Sequence, residues 1–226
     1  YKYDQLNRIV KADYDTIIAL TTNVWTDNFT SGKHYNMFRY DANGNIKTQV
    51  RSSKAGTGMD DLTYKYVPNS NQLDHVEDLV NSANFSDDLD MQSPGNYGYD
   101  AIGNLTRDDA EQIASIDWTV YGKVKKVNRT STSPKDELEF GYGPGGQRLT
   151  KKVIKDNGDV NSSYYFYDAS GNMMGIYNHT STASTDLYLE EQMMYGSSRL
   201  GSVQLHEKLV TPSSGCLLYT SDAADE

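Results

Sequence analysis

The chain is poor in the residues that build a compact core. Apolar and aromatic side chains make up 37% of its 226 residues. That share counts 18 Tyr and omits 18 Gly, so exchanging the two leaves it unchanged. Ordinary globular domains reach about 45–50% on the glycine-inclusive count. Cysteine is nearly absent: Cys216 stands alone, which excludes an internal disulfide framework. Positive charge is also scarce, with 21 Lys and Arg against 31 Asp and Glu, a formal charge of -10. A phosphate-backbone partner wants a basic stripe, so nucleic acid is not expected. No run approaches the ~18–20 apolar residues that a membrane-crossing helix needs, and no basic-then-apolar leader is visible. The chain opens on Tyr1-Lys2-Tyr3-Asp4, without Met and inside what reads as a strand, so its native N-terminus is expected to lie upstream.

Aromatic residues, by contrast, reach 11%, too many for a disordered chain. Tyrosine has an apolar ring and a wet end, and suits a surface that is only half buried. High tyrosine with little core points to an extended or hollow sheet.

Internal repetition explains the tyrosine. Four segments share one frame: Tyr3-Asp4-Gln5-Leu6-Asn7-Arg8-Ile9, Tyr40-Asp41-Ala42-Asn43-Gly44-Asn45-Ile46, Tyr99-Asp100-Ala101-Ile102-Gly103-Asn104-Leu105 and Tyr167-Asp168-Ala169-Ser170-Gly171-Asn172-Met173. Weaker copies begin at Tyr66, at Trp118 (Trp118-Thr119-Val120-Tyr121-Gly122-Lys123-Val124), at Tyr142 (Tyr142-Gly143-Pro144-Gly145-Gly146-Gln147-Arg148-Leu149) and at Tyr195 (Tyr195-Gly196-Ser197-Ser198-Arg199-Leu200). Taking 3, 40, 66, 99, 121, 142, 167 and 195 as lead tyrosines, the spacing runs from 21 to 37 residues, within the range of stacked repeat architectures. Each copy reads as a β-hairpin turn. The Asp can accept from backbone groups ahead of it, and Gly supplies φ > 0. Strands of period two, such as Arg148-Leu149-Thr150-Lys151-Lys152-Val153, lead away. A lone hairpin is marginal in water, so the copies are expected to pair edge to edge in one curved or spiral antiparallel sheet. The predicted fold is all-β with few short helices, at Gln72–Val80 and around Asp108–Ala114.

The series of Tyr-Asp-x-x-Gly-Asn-apolar units, the Trp118 variant and Tyr195-Gly196-Ser197-Ser198-Arg199-Leu200-Gly201 together resemble the bacterial RHS/YD-repeat family. The resemblance covers most of residues 1–205. It implies a β-sheet spiral wound into a hollow shell, and a secreted or cell-surface parent that often carries a variable C-terminal toxin. In that family a core segment, often with an aspartyl self-cleavage element, follows the last repeats. It is missing here, so neither cleavage nor toxin activity transfers to any residue. Residues 206–215 then read as a truncated connector. The run Cys216-Leu217-Leu218-Tyr219-Thr220-Ser221-Asp222-Ala223-Ala224-Asp225-Glu226 resembles a translated sequencing adapter. Without its three acids the charge falls to -7.

No constellation signals catalysis or a cofactor. Gly141, Gly143 and Gly146 satisfy G-x-G-x-x-G, but a dinucleotide fingerprint needs a helix after it, and an alternating strand follows. His34, His75, His179 and His206 lack a second ligand at metal-binding spacing. Asp87, Asp88 and Asp90 lack the spacing of a calcium loop and read as a solvated acidic loop. Asp4, Asp41, Asp100 and Asp168 recur beside turns, whereas a catalytic group is needed once. The structural positions are therefore Tyr3, Asp4, Tyr40, Asp41, Gly44, Tyr99, Asp100, Gly103, Trp118, Tyr121, Gly122, Tyr142, Gly146, Tyr167, Asp168, Gly171, Tyr195 and Gly196. The expected role is a non-enzymatic shell segment whose partner is the parent's own C-terminal domain, a toxin or other cargo. The alternative is a carbohydrate-binding or adhesive surface module.

Overall fold

A computed structural model describes residues 1–13, 15–19, 21–27, 32–85, 88–180 and 186–209. The adapter-like run and Asp87 lie outside them. The chain divides into two compact units, Tyr1–Glu111 and Gln112–Glu226. Both are all-β, and no helix occurs among the described residues.

The first unit holds β1 (Lys2–Tyr3), β2 (Ile9–Ala12), β3 (Asp15–Ala19), β4 (Val24–Asp27), β5 (Asn36–Tyr40), β6 (Ile46–Ser52), β7 (Gly58–Tyr66), β8 (Leu73–Asp78), β9 (Tyr97–Tyr99) and β10 (Leu105–Asp108). Six of these form one antiparallel sheet in the order β1-β2-β5-β6-β7-β8. The β3–β4 hairpin stands apart, inserted between β2 and β5. The second unit is a plain meander of β11 (Ile113–Trp118), β12 (Val124–Arg129), β13 (Glu137–Tyr142), β14 (Arg148–Ile154), β15 (Val160–Tyr167), β16 (Met173–Thr180), β17 (Leu187–Tyr195) and β18 (Arg199–Leu209). Each strand pairs antiparallel with the next in sequence. β18 runs past residue 205, well into the stretch expected to be connector.

The core is thin. Among the described residues only Leu62, Val76 and Met193 are buried apolar side chains, while eight polar or charged residues are buried. Leu62 and Val76, at 2% and 1% exposure, sit on the neighbouring strands β7 and β8. Most other strand residues are half-buried, as a tyrosine-rich, core-poor composition requires.

Both predicted helices are absent. Leu73–Asp78 is a strand, with Tyr64 opposite Val76 and Thr63 opposite Glu77. The turn Val67–Gln72 folds it back along β7, and ladder pairing overrides the weak local helix preference. Residues 105–108 are β10, and Ile113 begins β11. Between them the Ala110 N–H donates to Asn96 Oδ1 and Gln112 adopts φ 55°, which no helix tolerates.

The expected single ladder is also interrupted, since β9 does not continue from β8. At Val76 the free edge of β8 is met by a single side chain and its own main chain. The Val76 N–H donates to Gln92 Oε1, and the Gln92 N–H donates to the Val76 carbonyl, both at 2.9 Å. Gln92 thereby caps the edge in place of a strand.

Candidate functional site: the row of stapled turns

The repeated aspartates build their turns from one design. Asp41 Oδ1 accepts the N–H groups of Asn43 and Asn45, both at 2.9 Å, and Asp41 Oδ2 accepts Asn45 Nδ2 at 2.9 Å. Asp100 holds Ile102 and Asn104 in the same way, and Asp168 holds Ser170 and Asn172. At Asp4 the N–H groups of Leu6 and Arg8 take the same places, and Arg8 Nε replaces the carboxamide at 2.7 Å. Gly44, Gly103 and Gly171 follow at positive φ; Gly103, at +94°, adopts a value that side chains rarely permit. All four carboxyls are held below the ordinary 3.8. The first cause is the Arg8 N–H at Asp4, and the Asn45 and Asn172 carboxamides at Asp41 and Asp168. At Asp100, burial opposes the shift and the Asn104 bonds overcome it.

The lead tyrosines perform a second function that the sequence did not reveal. Five of them reach back across one hairpin and donate the hydroxyl to a main-chain carbonyl of the preceding repeat. Tyr40 bonds Ile9, Tyr66 bonds Ile46 and Tyr99 bonds Leu73, at 2.7, 2.8 and 2.9 Å. In the second unit Tyr142 bonds Val124 and Tyr195 bonds Met173, at 2.8 and 2.7 Å. Every acceptor is the first residue of the strand that leaves the preceding turn. Burial pushes the Tyr66 and Tyr99 hydroxyls above the ordinary 10.0. Tyr167 makes no such bond to Arg148, and the geometry offers no reason for the exception.

The residue four places after the Asp adds a third link. Arg8 lies over the Tyr40 ring, 4.6 Å from its centroid, and its Nη1 donates to the Asp41 carbonyl. Lys123 lies over Tyr142 at 5.4 Å and donates to the Gly146 carbonyl. Asn45 Nδ2 instead reaches Asn71 Oδ1 in the next turn. One position thus caps its own turn, clamps the next, or, at Arg8 and Asn45, does both.

Other predicted positions fall as follows. In the Trp118 repeat the lead place belongs to Trp118, opposite Val124, and Thr119 takes the place of Asp. Tyr121, read as a lead tyrosine, is instead at the tip of the turn and 86% exposed. The G-x-G-x-x-G glycines lie in the β13–β14 hairpin, where Gly146, at φ 77°, donates to the Gly143 carbonyl. A strand, β14, follows them where a dinucleotide fingerprint needs a helix. Tyr195-Gly196 closes a shorter turn, Gly196 N–H to the Ser198 carbonyl. Tyr3 is exposed at the start of the sheet.

No family model matches the chain, and no curated protein matches it.

His179 and His206 line one groove on β15–β18, and among the described residues no histidine joins the one group able to hold a metal ion. His75 contacts Asp74 and Glu77, and His206 bonds Glu190 and stacks on Tyr188. Of the acidic loop, Asp90 is exposed, while Asp88 lies beside Asp60 and Asp78.

Proposed function

We propose that residues 1–209 are a wall segment of an RHS/YD-repeat shell, non-catalytic in itself, from a secreted or cell-surface protein that encloses or displays its own C-terminal domain. The observation that carries this reading is the tyrosine staple. It recurs from hairpin to hairpin, binds main chain rather than a ligand, and leaves its hydroxyl engaged. A reaction centre gathers unlike groups once; here like groups are spread along the turns. The staple also gives the hairpins that carry it a partner beyond the strand ladder, as a thin wall with little core requires.

The test is limited proteolysis of a parent protein that carries a domain after the repeats. A domain following the repeats is expected to resist protease, and to be digested once Tyr66, Tyr99 and Tyr142 are changed to Phe. Equal digestion of both forms would overturn the shell reading. Substrate turnover by residues 1–215 alone would overturn the non-catalytic part.

One feature favours the adhesive alternative. A groove of about 410 Å³ on β15–β18 is lined by Asn161, Asn178, Tyr188, Glu190 and His206, among others. The carboxamide oxygens of Asn161 and Asn178 are buried there without donors. Sugar hydroxyls are donors of the right kind. Glycan-array binding that disappears in Asn178→Leu would support this second reading; an array without signal removes it.

A further inference from the structure

Three aspartates distant in sequence meet in the first unit. Asp60 lies on β7, Asp78 ends β8, and Asp88 belongs to the connection between β8 and β9. One carboxylate oxygen from each lies within 4.8 Å of the other two. Asp60 and Asp78 are 1% and 4% exposed, and Asp88 is half-buried.

Among the described residues one cation serves the three. Arg51 grips Asp60 with two prongs, Nε to Oδ2 at 2.6 Å and Nη2 to Oδ1 at 2.8 Å. Asp78 Oδ1 accepts the N–H groups of Asp61 and Val80, at 2.9 and 3.0 Å. Its Oδ2 receives no donor among the described residues. Asp88 Oδ1 is buried and likewise has none. With all three ionised, three carboxylates and one guanidinium leave two negative charges uncompensated, with Asp60 and Asp78 at most 4% exposed. Such charge is held in proteins only with a partner.

We propose that Asp60, Asp78 and Asp88 bind a hard divalent cation, calcium first, which pins the connection between β8 and β9 to the β7–β8 pair. The donor set is all oxygen, which selects hard cations over zinc or copper. A dication supplies the missing charge. Calcium bonds of about 2.3–2.6 Å span oxygens throughout the 4.8 Å range, whereas magnesium bonds of about 2.0–2.1 Å span only its lower part. The sequence concealed the site because two ligands come from strands and only Asp88 comes from the acidic loop. The competing arrangement puts a proton on Asp88 in place of the cation, in keeping with the upward pull of burial, and then of Asp60's charge, on its carboxyl.

The full chain, stripped with chelator, is titrated with calcium by calorimetry and thermal melting. One saturable site and a rise in Tm are expected, with a smaller rise for magnesium. Asp88→Asn is expected to abolish both binding and the rise. Asp60→Asn is avoided because it strands Arg51. Terbium bound to the unmodified chain is expected to luminesce through Tyr64, which feels the charge of Asp60, and calcium is expected to displace it. This second readout needs no variant. No binding up to about 1 mM calcium, the weak end for calcium sites, would overturn the proposal. So would binding that survives Asp88→Asn, or a Tm that rises on acidification and ignores calcium.

Discussion

An aspartate that accepts two N–H groups and one side-chain donor is worth more charged than neutral. Asp4, Asp41, Asp100 and Asp168 all meet that condition, and their carboxyls are held below 3.8. A carboxyl whose folded pKa is lowered contributes stability that is complete above its unfolded value. The contribution disappears as pH falls through the folded value. Urea midpoints are therefore expected to be flat near neutrality and to drop as pH falls from about 5 toward 1. The drop should be shallower in a chain with Asp41, Asp100 and Asp168 changed to Ala. An equal slope in both would show that these turns do not set the acid response. The tyrosine staple gives a sharper residue-scale contrast. Tyr99→Phe removes the donor to the Leu73 carbonyl and is expected to cost about 0.5–1.5 kcal/mol. Tyr167→Phe, which loses no such bond, is expected to be close to neutral. Chemical denaturation of the two variants side by side decides it.

At the scale of the element, a hairpin here depends on its turn conformation and on very few buried contacts. Gly103→Ala forces a side chain to φ +94° and is expected to cost about 1–2 kcal/mol, even though open space surrounds it. Leu62→Ala on β7 removes one of the three buried apolar side chains among the described residues and is expected to cost about 2–5 kcal/mol. Thermal melts that place Leu62→Ala among neutral surface changes would mean that this pair of strands holds no real core. The turns at Asp41, Asp100 and Asp168 are legible in the sequence because their chemistry is local: an acceptor, a positive-φ glycine and a carboxamide within five residues. The helices expected at Gln72–Val80 and Asp108–Ala114 failed because their conformation is not decided locally. The first is fixed by its pairing with β7, and the second by the Asn96 side chain, which takes up the Ala110 N–H. Trp118 and Tyr121 show the same boundary, since only the ladder tells which of the two aromatics faces Val124 and which projects from the turn.

At the scale of the molecule, serial antiparallel strands leave edges. β18 pairs with β17 along one side, and among the described residues no strand covers the other. An eleven-residue exposed edge is a template for a second chain. The chain alone is expected to self-associate at micromolar concentrations and above, read by light scattering. A sharp monomer peak would argue that the edge is already protected.

Composition and the recurrence of Tyr-Asp-x-x-Gly-Asn by themselves decided that this chain is a series of β-turns with little core. Those features act within a few residues, and backbone stereochemistry reads them wherever they stand. The fold alone decided which carbonyl each tyrosine hydroxyl meets, where β8 stops, and that Asp60, Asp78 and Asp88 share one place. These contacts join residues 10 to 31 positions apart in the chain, and a distance of that length is set by strand register, which no single turn encodes.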